Sequence, residues 1–322
     1  MDETFHSSAD ESREQIQALM RRKNDVGVLR FAIQFGLMVT GGVVMILTYG
    51  ETWWLWSLAM VVTALGVTPM FAVAHETVHR TAFKSRRLNE VVRVIASFTT
   101  LYVPEWFRHF HFAHHRHTHD PEHDPELAPL GFTAPSFTGS LAIYFTFVTG
   151  MALVIFKLTM VLLLALPLPA RFFDTYLAYV KPTAVRQMRW EARLCLVLHA
   201  SWIVAGFIWW PGVASLLIAQ LVGHGLLGCF LATEHSGLPH EGSVLDRTRT
   251  TKTNGLVRYL MWNMPYHAEH HAYPSVPWHA LPDLHLLMRD ELVHIVPGYP
   301  SMHKRILGQL LRGRPFTDPP AR

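Results

Sequence analysis

Histidine is the side chain through which this sequence could do chemistry, because 21 of its 322 residues are histidines and they cluster. Three short segments hold most of the clustered ones, and we call them the first, second and third box: His75-Glu-Thr-Val-His79, His111-Phe-Ala-His114-His115 and His267-Ala-Glu-His270-His271. Residues three and four apart share one face of a helix, so we expect each box to direct its imidazoles toward one point. Eight such ligands are too many for one ion and suit two. Imidazole binds iron, zinc and copper alike, so the spacing does not name the metal.

The composition indicates a membrane protein. Half of the residues are hydrophobic, and they lie in long runs rather than in short amphipathic segments. The formal net charge is only +4 with neutral histidines, which does not suggest a nucleic-acid partner. The two cysteines, Cys195 and Cys229, form no C-x-x-C pair, so neither a zinc ribbon, a fused rubredoxin nor a disulfide framework is expected.

Four apolar runs predict membrane-spanning helices, since about 20 apolar residues cross the hydrocarbon core. Residues 28–49 and 53–74 form one predicted hairpin, and residues 194–209 and 213–232 form a second. Neither tight turn contains Lys or Arg, whereas the longer segments do. The positive-inside rule therefore predicts that both termini and all three boxes are cytoplasmic.

Two further apolar runs do not fit a simple crossing. Residues 140–168 hold Lys157 near their middle, and one crossing there would reverse the charge rule. We interpret this run as a re-entrant or interfacial helical pair, and residues 91–103 as an interfacial segment. The predicted fold is all-α and integral to the membrane: two transmembrane hairpins, these interfacial or re-entrant helices, and a cytoplasmic helical cap that holds two metals. The predicted division is a polar leader (1–27), a membrane domain (28–285) and a cytoplasmic tail (286–322).

The order and surroundings of the boxes resemble the membrane fatty acid desaturase superfamily. The matching words are HETVHRTAF from His75, FRHFHFAHHRHTHDPEHDPEL from Phe107 and NMPYHAEHHAYPSVP from Asn263. The resemblance covers roughly residues 28–285. It implies a di-iron centre with nine histidine ligands, of which the boxes supply eight. For the ninth we choose His235, with His224 as the competitor.

The resemblance also implies supporting residues around the metals. Asn263 is expected to hold a metal-bound water or to orient the third box. Carboxylates that would accept the free ring N–H of a ligand and fix its tautomer are Glu76, Asp124, Glu126, Glu234 and Glu269.

The implied activity is O2-dependent oxidation of a fatty acyl or other long aliphatic chain, with two iron ions as cofactor and O2 as co-substrate. Desaturation leads; the alternatives on the same scaffold are hydroxylation, ketolation and alkene-forming decarboxylation of a fatty acid. No His-Pro-Gly-Gly haem motif is present, so the electron donor is expected to be a separate ferredoxin, rubredoxin or cytochrome b5 type protein with its reductase. The basic pairs Arg86-Arg87 and Arg247–Arg249 are interpreted as a solvated surface facing lipid headgroups, or alternatively as a docking patch for an acidic donor.

Two remote alternatives come from other classes. His75-Glu76-x-x-His79 matches the H-E-x-x-H motif of zinc peptidases, but a peptidase leaves the second and third boxes unexplained. The tract from His109 to His123 resembles the histidine-rich loop of a metal transporter. A transporter also needs ionisable residues along its path, and the cores of the two predicted hairpins contain no Asp, Glu, Lys or Arg apart from Arg30 near one end.

Overall fold

The computed structural model describes residues 14–131, 134 and 136–318, and these residues are mostly helical. The ends of the predicted leader and tail, residues 1–13 and 319–322, lie outside the described residues. Residues 14–19 are helical. The helices that follow are α1 (Asp25–Thr48), α2 (Trp53–His79), α3 (Arg86–Thr99), α4 (Pro104–Arg116), α5 (Leu141–Val148), α6 (Met151–Ala165), α7 (Ala170–Tyr176), α8 (Val185–Ile208), α9 (Pro211–Ala214), α10 (Leu216–Leu231), α11 (Gly255–Leu260), α12 (His267–Ala272), α13 (Leu281–Met288) and α14 (Tyr299–Leu310). Short 3-10 turns cover Pro182–Ala184 and Trp278–Ala280, and the strands β1 (Thr250–Thr251) and β2 (Ile295–Val296) pair in parallel.

Among the described residues, four helical stretches are long and apolar enough to cross a membrane: Asp25–Thr48, Trp53–His79, Pro182–Ile208 and Pro211–Leu231. Each corresponds to one predicted run, but two bounds differ. The second stretch continues through the first box, and the third begins about ten residues before the run that starts at 194. The third stretch begins before the predicted run because its first turns carry Arg186, Arg189 and Arg193. Charged residues end an apolar run in the sequence, but they do not end a helix.

The helices α1 and α2 pack closely and antiparallel. A Cβ added to Gly41 would lie 2.8 Å from the Thr63 hydroxyl, and one added to Gly66 would lie 2.5 Å from Met38. These two glycines therefore let the helix backbones approach. Of the most apolar 18 residues of each helix, 67% are buried in α2 and 22% in α1. The helix α2 is therefore the inner one, and α1 presents its large apolar side chains outward, as a lipid-facing helix does.

The helix α10 also packs on α2, while α6 packs on α8. The connections after α1 and after α8 meet at one end of the molecule, because a Cβ on Gly212 would lie 2.4 Å from the Ile46 carbonyl oxygen. The tryptophans of these connections, Trp53 and Trp209, are 79% and 77% exposed. Exposed tryptophan is typical of a membrane–water interface.

The predicted helical pair at residues 140–168 is present as α5 and α6, which are bent by 70°. The bend occurs at Gly150, whose φ of +82° suits glycine. A Cβ there would lie 2.5 Å from the Gly225 amide nitrogen of α10, so the break lies directly against that helix. By length and composition the pair fits a broken span as well as a re-entrant element. Lys157 points inward from α6, with its Nζ 4.0 Å from the centre of the Tyr102 ring.

Candidate metal centre

The first box lies on the last turn of α2. This helix ends at Arg80, whose left-handed backbone (φ 59°) lets its amide N–H reach the carbonyls of Glu76 and Thr77. Because the helix does not stop at the edge of its apolar stretch, His75 and His79 are held by the same rigid element that packs inside the membrane region.

The second and third boxes lie on short helices of their own. The helix α4 begins at Pro104, a residue suited to the first turn, and bears the second box in its last two turns. The helix α12 consists of the third box alone. Just before it, Trp262 and Asn263 both have positive φ (50° and 59°), a costly conformation that persists only where the surroundings fix it.

Gln34 of α1 fixes this strained turn. Its buried amide oxygen accepts a hydrogen bond of 2.7 Å from the Trp262 indole N–H, and its amide nitrogen donates to the carbonyls of Tyr259 and Leu260. Asn263 contributes from within the turn, since its side chain donates to the Trp278 carbonyl at 2.9 Å and its own carbonyl accepts from the Tyr266 amide. Asn263 thus helps to hold the turn that precedes the third box, and the roles expected for it at the metals stay predictions.

All nine predicted histidines come together, in two groups. The first group is His75, His79, His111, His115 and His270; the second group is His114, His235, His267 and His271. Within each group the candidate ligand atoms lie within 4.8 Å of one another.

The expectation that each box points at one place is wrong for the second and third boxes. His111 and His115 belong to the first group while His114 belongs to the second, and the third box divides in the same way between His270 and His271. Neighbouring residues are about 100° apart around a helix. The pairs separated by four residues therefore stay together, and the middle histidine turns toward the other group.

The Nε2 atoms of the first group converge at ligand-like distances. They lie 2.7 Å apart for His79 and His111, 3.0 Å for His111 and His115, and 3.1 Å for His115 and His270. Two nitrogen ligands at right angles, each about 2.1 Å from a metal, are about 3.0 Å apart. Both ring nitrogens of His75 are buried without a hydrogen-bond partner within the described part of the chain. Such an orphaned donor set fits a metal ion.

In the second group three of the four outer ring nitrogens are held. The Nδ1 of His114 lies 3.0 Å from both oxygens of Asp124, that of His235 lies 2.8 Å from the Arg247 carbonyl, and that of His271 lies 3.1 Å from the Thr118 hydroxyl. The inner Nε2 atoms face one another, at 2.8 Å for His235 and His267 and 3.3 Å for His114 and His271. Outer partners of this kind fix the tautomer and leave Nε2 free to bind a metal.

Electrostatics favours uncharged imidazoles at most positions outside the spans. Burial, reinforced by the neighbouring histidines, holds the pKa of His111, His115, His235, His267, His270 and His271 well below its usual value. Metal binding requires a neutral imidazole. His114 is the exception: burial lowers its pKa, but Asp124 and Glu126 outweigh that effect and raise it to about 9. The same carboxylates would stabilise a cation bound to His114.

The remaining predicted carboxylates surround the two groups. The Glu76 carboxylate accepts a 2.6 Å hydrogen bond from the Thr81 hydroxyl, and its other oxygen lies 3.5 Å from His75 Nδ1. Glu234 lies 3.7 Å from His267 Nδ1 and Glu126 lies 3.8 Å from His114 Nδ1.

Glu269, although part of the third box, braces it from behind. Its two oxygens accept from the Thr250 hydroxyl of β1, at 2.5 Å, and from His285 Nδ1 of α13. This arrangement holds α12 between β1 and α13.

The structure places His235 and His224, the two candidates for the ninth ligand, in different surroundings. His235 is in the second group, whereas His224 lies within α10 with its Nδ1 2.8 Å from the Gln220 carbonyl and its Nε2 3.3 Å from the Thr100 carbonyl. The His235 loop is held by Arg249, a fully buried side chain that donates to the carbonyls of Thr233 and Ser236 and to Asp318. The interpretation of Arg249 as a solvated surface residue is therefore wrong. Its position in a run of charged residues suggested exposure, whereas its side chain is buried and organises a loop.

An apolar cavity of about 290 Å³ opens beside the second group. Aromatic and aliphatic side chains from α2, α4, α5 and α6 line it, among them Phe71, Phe107, Phe147, Leu153 and Phe156, together with residues of the segment between α4 and α5. His235 lines it directly, as do Asp124 and Glu126. The cavity thus joins a space suited to an aliphatic chain to an imidazole of the candidate centre.

Several supporting residues could not be recognised from the sequence. Gln34, Thr118, Arg249 and His285 are separated from the histidines they support by up to about 240 positions, and no spacing rule connects them. Thr118 gave the only local signal, because it follows the second box by three residues, about one helical turn.

Comparison with known proteins agrees with this arrangement. The profile of the family described as "Fatty acid desaturase" matches residues 51–302, which include all nine histidines. Dihydrorhizobitoxine desaturase of Bradyrhizobium elkanii is 27% identical over 110 residues, which are 34% of this chain and 30% of that protein's length. The family match covers most of the chain and confirms the resemblance drawn from the boxes: the chain belongs to the fatty acid desaturase family.

Proposed function

We propose that this integral membrane protein is an O2-dependent di-iron oxidoreductase that desaturates a fatty acyl or other long aliphatic chain. One observation carries the proposal: nine imidazoles converge in two groups of five and four, and one group borders an apolar cavity. A transporter needs no such cavity, and a zinc peptidase would use one site of three or four ligands.

In this proposal His75, His79, His111, His115 and His270 hold one iron and His114, His235, His267 and His271 hold the other. When bound, the irons would supply the activation of O2 that removal of hydrogen from an unactivated methylene requires. In the net change, the two hydrogens lost from the chain, together with O2, two electrons and two protons, become two molecules of water.

The residues of the chain contribute position and exclusion of water. The aromatic wall formed by Phe71, Phe107, Phe147 and Phe156 aligns an aliphatic substrate and keeps the reacting carbon dry. Asp124 orients His114 and neutralises part of the charge of the second iron. His235 lies where cavity and centre meet, so the methylene nearest to it is the one we expect to react.

The same proposal places the centre on the cytoplasmic side of the membrane. Trp53, Trp209 and the two turns that lack Lys and Arg lie together at the opposite end of the molecule, which supports this orientation. Protease digestion of sealed vesicles tests it: cleavage near the third box from the outside would contradict the assignment.

The direct test is metal analysis followed by product analysis. Protein purified in detergent after growth with iron should hold about two irons per chain, one for each group. Incubation with fatty acids and acyl lipids under O2 and a chemical electron donor should then give a product lacking two hydrogens. His270→Ala should abolish turnover while the protein remains inserted in the membrane.

Other outcomes would redirect or reject the proposal. A product that gains one oxygen indicates hydroxylation, further oxidation to a carbonyl indicates ketolation, and a terminal alkene with release of CO2 indicates decarboxylation. Zinc without iron, together with activity in the absence of O2, would reject the di-iron assignment.

A further inference from the structure

The two histidine groups differ in their access to the surface. His79 and His115 of the first group are partly exposed, whereas the four histidines of the second group are buried. The apolar cavity serves the second group. A route for electrons from outside the protein is therefore shortest through the first group.

A surface pocket reaches the first group at His79. Its lining is Arg22, Val78, His79, Arg80, Arg108 and Phe112. The Phe112 ring is 41% exposed and meets the His79 imidazole edge-on, with ring centres 5.5 Å apart. One aromatic ring therefore bridges solvent and a histidine of the centre.

The rim of this pocket carries positive charge. Arg80 and Arg108 both pair with Glu90, at 3.4 and 2.6 Å, and Arg108 also pairs with Glu105 at 3.4 Å. Arg22 is exposed, and it lies between Arg21 and Lys23, which are also exposed. Cations thus exceed anions around an opening that leads to an imidazole.

The basic pairs recognised in the sequence do not form this surface. Arg249 is buried inside the His235 loop. Arg86 and Arg87 are exposed on the first turn of α3 but do not line the pocket. They therefore offer a matched pair of arginines with which to test the location.

We propose that the pocket around His79, with Phe112 at its edge and Arg22, Arg80 and Arg108 on its rim, is the docking site of an acidic one-electron carrier protein. This inference rests on the proposed function. In each encounter the carrier is oxidised by one electron and one ferric ion of the centre becomes ferrous, so two encounters supply the two electrons of a turnover. Anionic lipid headgroups fit the charge as well, but they do not account for the exposed ring against a candidate ligand.

The first experiment measures binding, which does not depend on turnover. Oxidised plant-type [2Fe–2S] ferredoxin, an acidic carrier, is titrated against the full chain in nanodiscs of neutral lipid. The double variant R22E/R80E should raise the Kd about ten-fold or more at low ionic strength, because complementary charge governs such encounters. The matched variant R86E/R87E, with the same change in charge, should change it far less.

Further measurements separate the possible failures. Arg22→Glu alone, at an exposed position, covers the case in which the double variant folds poorly. Phe112→Leu should slow reduction of the centre at saturating ferredoxin more than it slows reduction by dithionite, because the ring is proposed to link the bound carrier to His79.

Equal weakening by both double variants, or none by R22E/R80E, would overturn the docking site. The docking site would also be overturned if R22E/R80E lost binding to phosphatidylglycerol vesicles but kept ferredoxin binding, since that result assigns the pocket to lipid. If dithionite reduces no metal in the wild-type protein while R22E/R80E still weakens ferredoxin binding selectively, the proposed function fails and the docking surface stands.

Discussion

The two histidine groups use the same side chain in opposite settings. The second group is buried, borders the apolar cavity, and has three of its outer ring nitrogens held by Asp124, Thr118 and the Arg247 carbonyl. The first group reaches the surface, borders a basic pocket, and includes His75 and His270, whose Nδ1 atoms have no hydrogen-bond partner among the described residues. The difference indicates a division of labour. The proposed function assigns the dry reaction with an aliphatic chain to the second group, and the proposed docking site assigns exchange with the aqueous side to the first.

The most severe test of this comparison removes one ligand of the second group. His235→Ala should lose the iron of that group and all oxidation of substrate, because three imidazoles then face the cavity with an open position. Iron content and product formation are measured together. His224→Ala, a buried histidine outside both groups, is the control and should retain both irons; the reverse result would make His224 the ligand.

A smaller effect is expected from the outer partner of His114. Asp124→Ala should weaken iron binding in the second group by about 10–100-fold, the usual cost of losing such a partner. Iron retained during dialysis against a graded chelator reports this change. Asp120→Ala is a matched control, because Asp120 lies only four residues away and pairs with the exposed His123. Equal losses in both variants would show that the hydrogen bond to His114 does not matter.

The comparison also predicts an order of metal release from the unaltered protein. A water-soluble iron chelator should remove one iron faster than the other, with rates differing on the order of ten-fold, since the first group is exposed and less fully braced. Stopped-flow absorbance of the iron–chelator complex should therefore show two phases. A single phase for both irons would remove the claim that the two settings differ.

The smallest effect is expected at the strained turn before the third box, which supplies histidines to both groups. Gln34→Leu leaves the Trp262 indole N–H and the Leu260 carbonyl without their side-chain partner, while Arg30 still donates to the Tyr259 carbonyl. The loss should cost about 1–3 kcal/mol of folding stability. Thermal unfolding in detergent measures the effect, with the exposed Gln187→Leu as control. An unchanged midpoint would mean that Trp262 and Asn263 hold their positive φ without this hydrogen-bond network.

The sequence was informative where the signal is local. Each box is recognisable because helical spacing links residues three and four apart. The choice of His235 came instead from the family resemblance, which implies a ninth ligand between the second hairpin and the third box. Assignment to groups was not readable, since it depends on how α4 and α12 are rotated against each other. His114 and His115 are neighbours in the chain and still serve different groups.

Long-range support was invisible for a related reason. Nothing in the sequence around Gln34, a polar residue in an apolar helix, or around Arg249, in a basic run, indicates a distant partner. Only the folded chain brings them to the turn and the loop that they hold. The early start of α8 was missed because hydropathy identifies apolar stretches, whereas a helix continues into the charged residues that precede them.

The division of the boxes also has a consequence for biosynthesis. Each group takes at least one imidazole from α12, His270 for the first and His267 and His271 for the second. A nascent chain that has inserted its four apolar helices therefore still lacks both complete groups until the ribosome has passed residue 271. Under the proposed function, iron is delivered to a chain that is almost finished and already in the membrane. A truncated chain that ends before α12 has neither group complete.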